Sequence, residues 1–283
     1  MARFTNQAQL RYGNSVANSN IAVGEILEVL SVTKTAVRST YSTDDTVTYV
    51  ISIVNSGSTA ITGLTLSDNL GEYAFNTGTL VPLGYVDGTI RYYTNGTLQT
   101  APAVTAGPPL TVTGISVPAS GNATIVYEAA LNEFAPQGLE AGITNTVTVS
   151  GTGITPITAE ETVNAVAAPR LTITKSVSPV PVTENGTLTY TFTIQNYGSV
   201  AATADTGVVI TDTFDPILRN LTASYNNAAW TETTDYTYSE TTGLFSSVAG
   251  KITVPAATYT QDPVTGAWVV DPGVGTLVIT GTV

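Results

Sequence analysis

The sequence predicts an all-β protein built from two tandem β-sandwich domains, with a separate strand-forming segment ahead of them. Three observations predict it. Charged residues make up only 11% of the 283, and Thr, Val, Ala, Gly and Asn fill the space instead, a composition of strands and turns. Short runs with period-two alternation recur between Gly, Asn, Asp and Pro, and no stretch keeps a 3.6-residue apolar stripe. The third observation is an internal repeat.

Ser31-Val32-Thr33-Lys34-Thr35 returns as Thr172-Ile173-Thr174-Lys175-Ser176. At the same offset, Val47-Thr48-Tyr49-Val50-Ile51-Ser52-Ile53-Val54-Asn55 returns as Leu188-Thr189-Tyr190-Thr191-Phe192-Thr193-Ile194-Gln195-Asn196, and Gly57-Ser58 as Gly198-Ser199. Leu64-Thr65-Leu66-Ser67-Asp68 then matches Val208-Val209-Ile210-Thr211-Asp212, and the run from Gly121 to Tyr127 matches that from Gly273 to Ile279. Block order is kept and only the loops grow. The expected domains are residues 27–166 and 167–283, joined by the short linker Ala167-Ala168-Pro169, so they should stack end to end.

The repeats differ at their ends. The first continues past Leu131 for another 35 residues, which carry its closing strands. The second reaches Val283, the counterpart of Leu131, and is expected to lack those strands. Such a sandwich exposes an apolar groove and unpaired edges. The missing pattern appears at the other end of the chain, in residues 1–26. Ile143, Asn145, Val147 and Val149 alternate with Thr and Ser, and Phe4, Asn6, Ala8, Leu10 and Tyr12 alternate in the same way around Asn6. A second short run follows in each: Ile21-Ala22-Val23, and Thr162-Val163-Asn164-Ala165-Val166.

Residues 1–26 are therefore expected to act as a donor segment. A link of about two residues, Gly24 and Glu25, cannot cross a domain at roughly 3.3–3.6 Å per residue, so the acceptor should be another molecule. The product is a head-to-tail homopolymer made by strand addition. Phe4, Ala8, Leu10, Tyr12, Ile21 and Val23 would be buried in the joint, at about 1.5–3 kcal/mol for each large side chain. The alternative is an unstructured N-terminal tail.

Composition excludes several other functions. The net charge of −12 and the absence of His argue against nucleic-acid binding and most catalytic metal sites; the absence of Cys removes disulfides, thiolate catalysis and zinc-thiolate sites. No cofactor or metal is expected. No apolar run is long enough for a membrane helix, and Met1-Ala2-Arg3 does not open a secretion signal.

Three polar residues fall in the apolar phase of their strands. Lys34 follows Leu30 and Val32, as Lys175 follows Leu171 and Ile173. Asp68 follows Leu64 and Leu66, as Asp212 follows Val208 and Ile210. Asn145 lies between Ile143 and Val147. Period two aims each inward, where polar groups are costly unless they meet.

These stretches resemble the DUF11 repeats of bacterial surface proteins: Thr33-Lys34-Thr35, Val47-Thr48-Tyr49 with Val54-Asn55-Ser56-Gly57, Leu66-Ser67-Asp68, and Ile143-Thr144-Asn145-Thr146-Val147. The second repeat carries the same set except the last. The two-repeat size is similar to clostridial spore-appendage proteins, which would be made in the mother cell and released by lysis. The resemblance implies immunoglobulin-like sandwiches, an extracellular or spore-surface location, and possible minor base or tip subunits. Immunoglobulin-like surface domains of Gram-positive bacteria carry Lys–Asn isopeptide bonds formed beside an acidic catalyst. That implies a bond between Lys34 and Asn145 with Asp68 as the protonated acid. It also implies an intermolecular bond between Lys175 and Asn6 of the next molecule, with Asp212 as the acid. The alternative is a buried Lys–Asp ion pair with a hydrogen-bonded Asn. Glu128 is a second choice of acid, although its counterpart is Thr280.

The first functional reading is a structural fibre subunit, with no enzyme activity beyond this self-reaction. The second is an adhesin or carbohydrate-binding module with the insertion 215–272 as its binding face, where Trp230, Trp268, Tyr236, Tyr238 and Tyr259 form either a sugar-binding face or loop packing. Asp44-Asp45 and Glu184-Asn185-Gly186 read as turns rather than calcium ligands.

Overall fold

The structure is a computed structural model describing residues 2–26 and 28–283. Met1 and Leu27, where the N-terminal segment and the first domain are expected to begin, lie outside the described residues. The protein is all-β: two immunoglobulin-like sandwiches follow a two-stranded ribbon. Among the described residues the one helical element is a 3-10 turn, Ala204–Thr206.

The ribbon contains β1 (Ala2–Asn6), β2 (Gln9–Tyr12), β3 (Ser15–Asn18) and β4 (Ala22–Ile26). It is a nested hairpin: β1 pairs antiparallel with β4, and β2 with β3. Between the two pairings Ala8 and Ser19 hold the ribbon together, Ser19 donating its amide to the Ala8 carbonyl and accepting the Ala8 amide on Oγ. Gly24 and Glu25 form no linker; they lie inside β4, opposite Phe4 and Arg3. Gly24 leaves room for the Phe4 ring lying over it, so here the glycine accommodates a cross-strand aromatic. Ile21 precedes β4 rather than joining it. The alternation is also interrupted, because Gln7 and Ala8 fall between β1 and β2.

The first sandwich contains β5 (Leu30–Ala36), β6 (Thr40–Tyr41), β7 (Thr46–Asn55), β8 (Ile61–Asp68), β9 (Tyr73–Phe75), β10 (Gly78–Leu80), β11 (Leu83–Tyr85), β12 (Arg91–Thr94), β13 (Thr97–Leu98), β14 (Ala103–Thr105), β15 (Leu110–Val117), β16 (Gly121–Leu131), β17 (Gly142–Gly151) and β18 (Ile154–Ala165). One sheet runs β13-β12-β16-β7-β5 and the other β14-β15-β8-β17-β18-β6. Alternation sets the core: Val47, Tyr49, Ile51 and Ile53 of β7 point in, as do Ala123, Ile125 and Tyr127 of β16, against Leu64 and Leu66 of β8. The β17–β18 hairpin closes the second sheet, with β17 paired to β8.

The second sandwich contains β19 (Leu171–Ser178), β20 (Thr187–Asn196), β21 (Thr211–Thr213), β22 (Arg219–Tyr225), β23 (Ala228–Trp230), β24 (Tyr236–Tyr238), β25 (Leu244–Ser247), β26 (Thr258–Gln261), β27 (Trp268–Asp271) and β28 (Gly273–Thr282). Its large sheet runs β19-β20-β28-β22-β23, and the facing sheet is only β21-β25-β24. The repeat extends to atomic detail. Asn55 and Asn196 each accept an amide two residues on, from Gly57 and Gly198, and each donates to the carbonyl four residues on, of Thr59 and Val200. The strand expected over Val208–Asp212 is shorter, however, and begins at Thr211.

Two segments tie the sandwiches together. The link from β18 to β19 is short, and the β26–β27 hairpin reaches back onto the first sandwich. Trp268 donates its amide to the Glu133 carbonyl (2.9 Å), Gln261 its side-chain amide to the Tyr73 hydroxyl (2.9 Å), and Asn76 its own to the Pro263 carbonyl (3.1 Å).

Candidate functional site

In the first sandwich, Lys34 enters from β5, Asp68 from the end of β8, Tyr127 from β16 and Asn145 from β17. All four are buried. The Lys34 ammonium donates to Asp68 Oδ2 at 2.6 Å, with both side chains fully enclosed. The Tyr127 hydroxyl donates to the same oxygen at 2.7 Å, and the Leu70 amide donates to Oδ1 at 3.0 Å. With three donors converging, Asp68 serves only as an acceptor here. The adjacent ammonium and phenol, with the Leu70 amide, satisfy the buried oxygens of Asp68.

Asn145 completes the cluster. Its Nδ2 donates to the Tyr127 hydroxyl at 2.9 Å, and its Oδ1 accepts the Gly71 amide at 3.2 Å. A backbone amide can only donate, so Gly71 fixes which way the side-chain amide points. Its dipole is also aimed at the oxygen where charge would develop if a nucleophile attacked Asn145 Cγ. The Tyr49 ring stacks on Tyr127 at 5.5 Å between centroids and lies 4.8 Å from Lys34 Nζ. Its hydroxyl is buried with no hydrogen-bond partner. Burial lowers the pKa of Lys34 to about 8, against the opposing pull of Asp68 and, more weakly, Glu161. Burial also pushes the Tyr49 and Tyr127 phenols well up. Glu128 faces outward and is not part of the cluster.

Tyr127, Gly71 and Glu161 escape sequence reasoning. Tyr127 shares the phase of Ala123 and Ile125 and reads as one more core aromatic. Gly71 acts through its backbone. Glu161 could have been found only from its pairing with Asn145 across the hairpin.

The second sandwich holds half of this cluster. Lys175 donates to Asp212 Oδ2, but the two side chains are 40% and 19% exposed. The Lys175 ammonium lies over Tyr190, Phe192 and Phe214 at 4.7, 5.4 and 5.2 Å from the ring centroids. Where β8 has β17 on one side and β15 on the other in the first sandwich, β21 pairs only with β25 among the described residues. Ile173, Val177 and Val209 flank this gap, exposed by 51%, 38% and 46%. The pairing expected to bury Lys175 is thus absent, and the site stays open to water.

The remaining predicted residues lie far from burial. Phe4, Leu10, Tyr12, Ile21 and Val23 are more than half exposed, and Asn6 and Ala8 are exposed as well. The ribbon nevertheless shares the register of the closing hairpin at both ends, although its one-residue shift lies between Asn6 and Gln9 where that of the hairpin lies between Val149 and Gly151. Asn6 faces Ala22 as Asn145 faces Glu161, and Tyr12 faces Ser15 as Gly151 faces Ile154. Sequence alternation matched both runs of each segment; the structure matches the two ends of the hairpin, with Leu10 facing Ala17 where Val149 faces Ile157.

The aromatic residues proposed for sugar binding do not share a face. Trp230 packs on Tyr225, Tyr236 is buried on Phe245, the Tyr238 hydroxyl bonds Leu218, that of Tyr259 bonds the Tyr197 carbonyl, and Trp268 sits in the joint. Asp44 and Asn185 occupy left-handed turn conformations.

No protein-family model and no curated protein matches the chain at a significant level. Solved structures do resemble it. One, named BspA_C_WT, has a TM-score of 0.37 at 11% identity over 89% of this chain and 91% of that one. The pilus backbone RrgB of Streptococcus pneumoniae gives 0.35 at 17% identity over 86% of this chain and 55% of that one. BcpA, the major pilin subunit of Bacillus cereus, gives 0.36 at 10% identity over 96% and 73%.

Proposed function

We propose that the chain is a structural subunit of an extracellular fibre that grows head to tail, the β1–β4 hairpin of one copy closing the second sandwich of another. The observation that carries this reading is the register that the ribbon and the β17–β18 hairpin share at both ends, set beside an edge with no such hairpin among the described residues. Val147 faces Asp68 and Val149 faces Leu66. By the same pairing a docked ribbon puts Ala8 opposite Asp212 and Leu10 opposite Ile210. Asn6 then falls opposite the Lys175–Asp212 pair, as Asn145 joins the Lys34–Asp68 pair through Tyr127. Docking covers Ile173, Val177 and Val209 and pairs the open edge, which together favour association. Such fibres would stand on a cell or spore surface, a reading supported by the resemblance of the repeats to DUF11 repeats and spore-appendage subunits.

In the same reading both sites form isopeptide bonds. The Lys34 amine attacks Asn145 Cγ, the new C–N bond replaces the bond to Nδ2, and ammonia leaves. In the joint, Lys175 does the same to Asn6 of the docked copy. Burial of Lys34 supports this by bringing its neutral amine within reach of ordinary pH.

Deletion of residues 2–20 tests the assembly. The shortened chain should form no fibres, yet should cap fibres of the intact chain by accepting a donor. Boiled intact fibres should run as a ladder of chain multiples that collapses to monomer in Asn6→Ala. Normal filaments from the shortened chain would contradict the reading.

A further inference from the structure

In the first sandwich a single phenol joins the acid to the amide that must leave. The Tyr127 hydroxyl lies 2.7 Å from Asp68 Oδ2 and 2.9 Å from Asn145 Nδ2. Lys34 reaches the same Asp68 oxygen from the other side, at 2.6 Å. At the matching place in the second sandwich the register gives a different residue. Tyr127 pairs with Tyr49 on β7, and Ile279 pairs with Tyr190, the counterpart of Tyr49, on β20. Ile279 is fully buried and carries no proton.

We propose that Tyr127 is a catalytic proton relay for closure of the Lys34–Asn145 bond, and that Ile279 leaves the intermolecular joint without one, so the joint locks more slowly. The inference rests on the isopeptide reading above. Asp68 takes a proton from the Lys34 ammonium, and the freed lone pair attacks Asn145 Cγ while Gly71 donates to the developing oxyanion. Protonated Asp68 then reverses its hydrogen bond with Tyr127 and gives it the proton. The phenol in turn passes its own proton to Nδ2. The C–Nδ2 bond breaks, ammonia departs, and the excess proton on the former lysine nitrogen returns to Asp68. Lys34 and Asn145 end as one amide, with Asp68 protonated and Tyr127 restored. Burial holds Tyr127 neutral throughout the ordinary pH range, as a relay between two partners requires. The bland alternative, a tyrosine that only packs, leaves unexplained why its hydroxyl bridges the acid to the leaving nitrogen.

Full-length chain made by cell-free synthesis, sampled over time and digested, gives the rate at which the branched Lys34–Asn145 peptide appears. Tyr127→Phe should slow that rate by about a hundredfold or more, and should change the solvent deuterium isotope effect on whatever reaction remains. A purely structural tyrosine would leave the isotope effect unmoved. The gain-of-relay variant Ile279→Tyr should speed the appearance of the Lys175–Asn6 peptide in fibres, and this arm stands even if Tyr127→Phe fails to fold. Wild-type rates in a folded Tyr127→Phe chain would overturn the relay alone. A wild-type chain that never yields the Lys34–Asn145 peptide would overturn the bond and the relay together.

Discussion

Lys34 is the residue on which the chemistry of the first sandwich turns, and its titration can be read without any cross-link. Burial lowers its pKa from 10.5 to about 8, so the folded chain releases the proton at lower pH than the unfolded chain. Between those values the unfolded state binds more protons, and rising pH favours folding. Below about pH 8 both states are protonated and the cost of burial is constant. An unlinked variant, Asn145→Ala, should therefore gain stability as pH rises from about 8 toward 10, on the order of 2–3 kcal/mol in denaturant unfolding. Above that, the buried phenols of Tyr41, Tyr49 and Tyr127, held protonated past their ordinary value of 10.0, reverse the slope. In a cross-linked chain Lys34 is an amide and does not titrate, so this rise should be absent. The cluster itself was largely legible. Lys34, Asp68 and Asn145 each break an apolar alternation in phase, and burying three polar groups in one small core obliges them to meet. Tyr127 was not legible, because a phenol in core phase looks like any packed aromatic until its hydroxyl is seen to bridge two partners.

The ribbon and the edge of β21 are the elements that matter most, and each is incomplete alone. A two-stranded ribbon with Phe4, Leu10 and Tyr12 exposed has little to hold it, since isolated hairpins are marginal in water. Its counterpart in the first sandwich is stable because β8 pairs with it and a core lies beneath. Leu10 should take the place of Val149, which is fully buried. Leu10→Ala should thus weaken docking by about 1.5–3 kcal/mol, read as a rise of roughly tenfold to hundredfold in the concentration at which fibres appear. The repeat and the first strands of the ribbon were visible in the sequence because alternation survives divergence. The second half of the ribbon was read poorly. Gly24 resembles a linker residue, but its small size serves the Phe4 ring across the ribbon, and the strand continues to Ile26. Val208–Ile210 read as strand by alternation, yet the strand begins only at Thr211. Ile210 is held by Ser247, whose amide donates to its carbonyl and whose hydroxyl accepts its amide, so the regular ladder starts one residue later.

At the scale of the whole molecule, two sandwiches share one plan and differ in how they are closed. The first is closed from within by β17–β18, which feeds directly into β19. The second has no such hairpin among the described residues, and the ribbon that resembles β17–β18 leads toward β5. The central claim is that these two facts describe one joint seen from both sides. The absence of Cys makes the register of that joint directly measurable, since any engineered pair is the only pair present. Thr148 faces Ser67 in the first sandwich, so a docked ribbon must put Gln9 opposite Thr211 of another copy. Directly opposed strand residues lie about 4.5–5.5 Å apart at Cα, within reach of a disulfide. Mixing a Gln9→Cys chain with a Thr211→Cys chain should give an oxidised heterodimer in high yield, and pairing Gln9→Cys with Thr213→Cys should give little. Equal yields from both mixtures, or none from the first, would contradict the account.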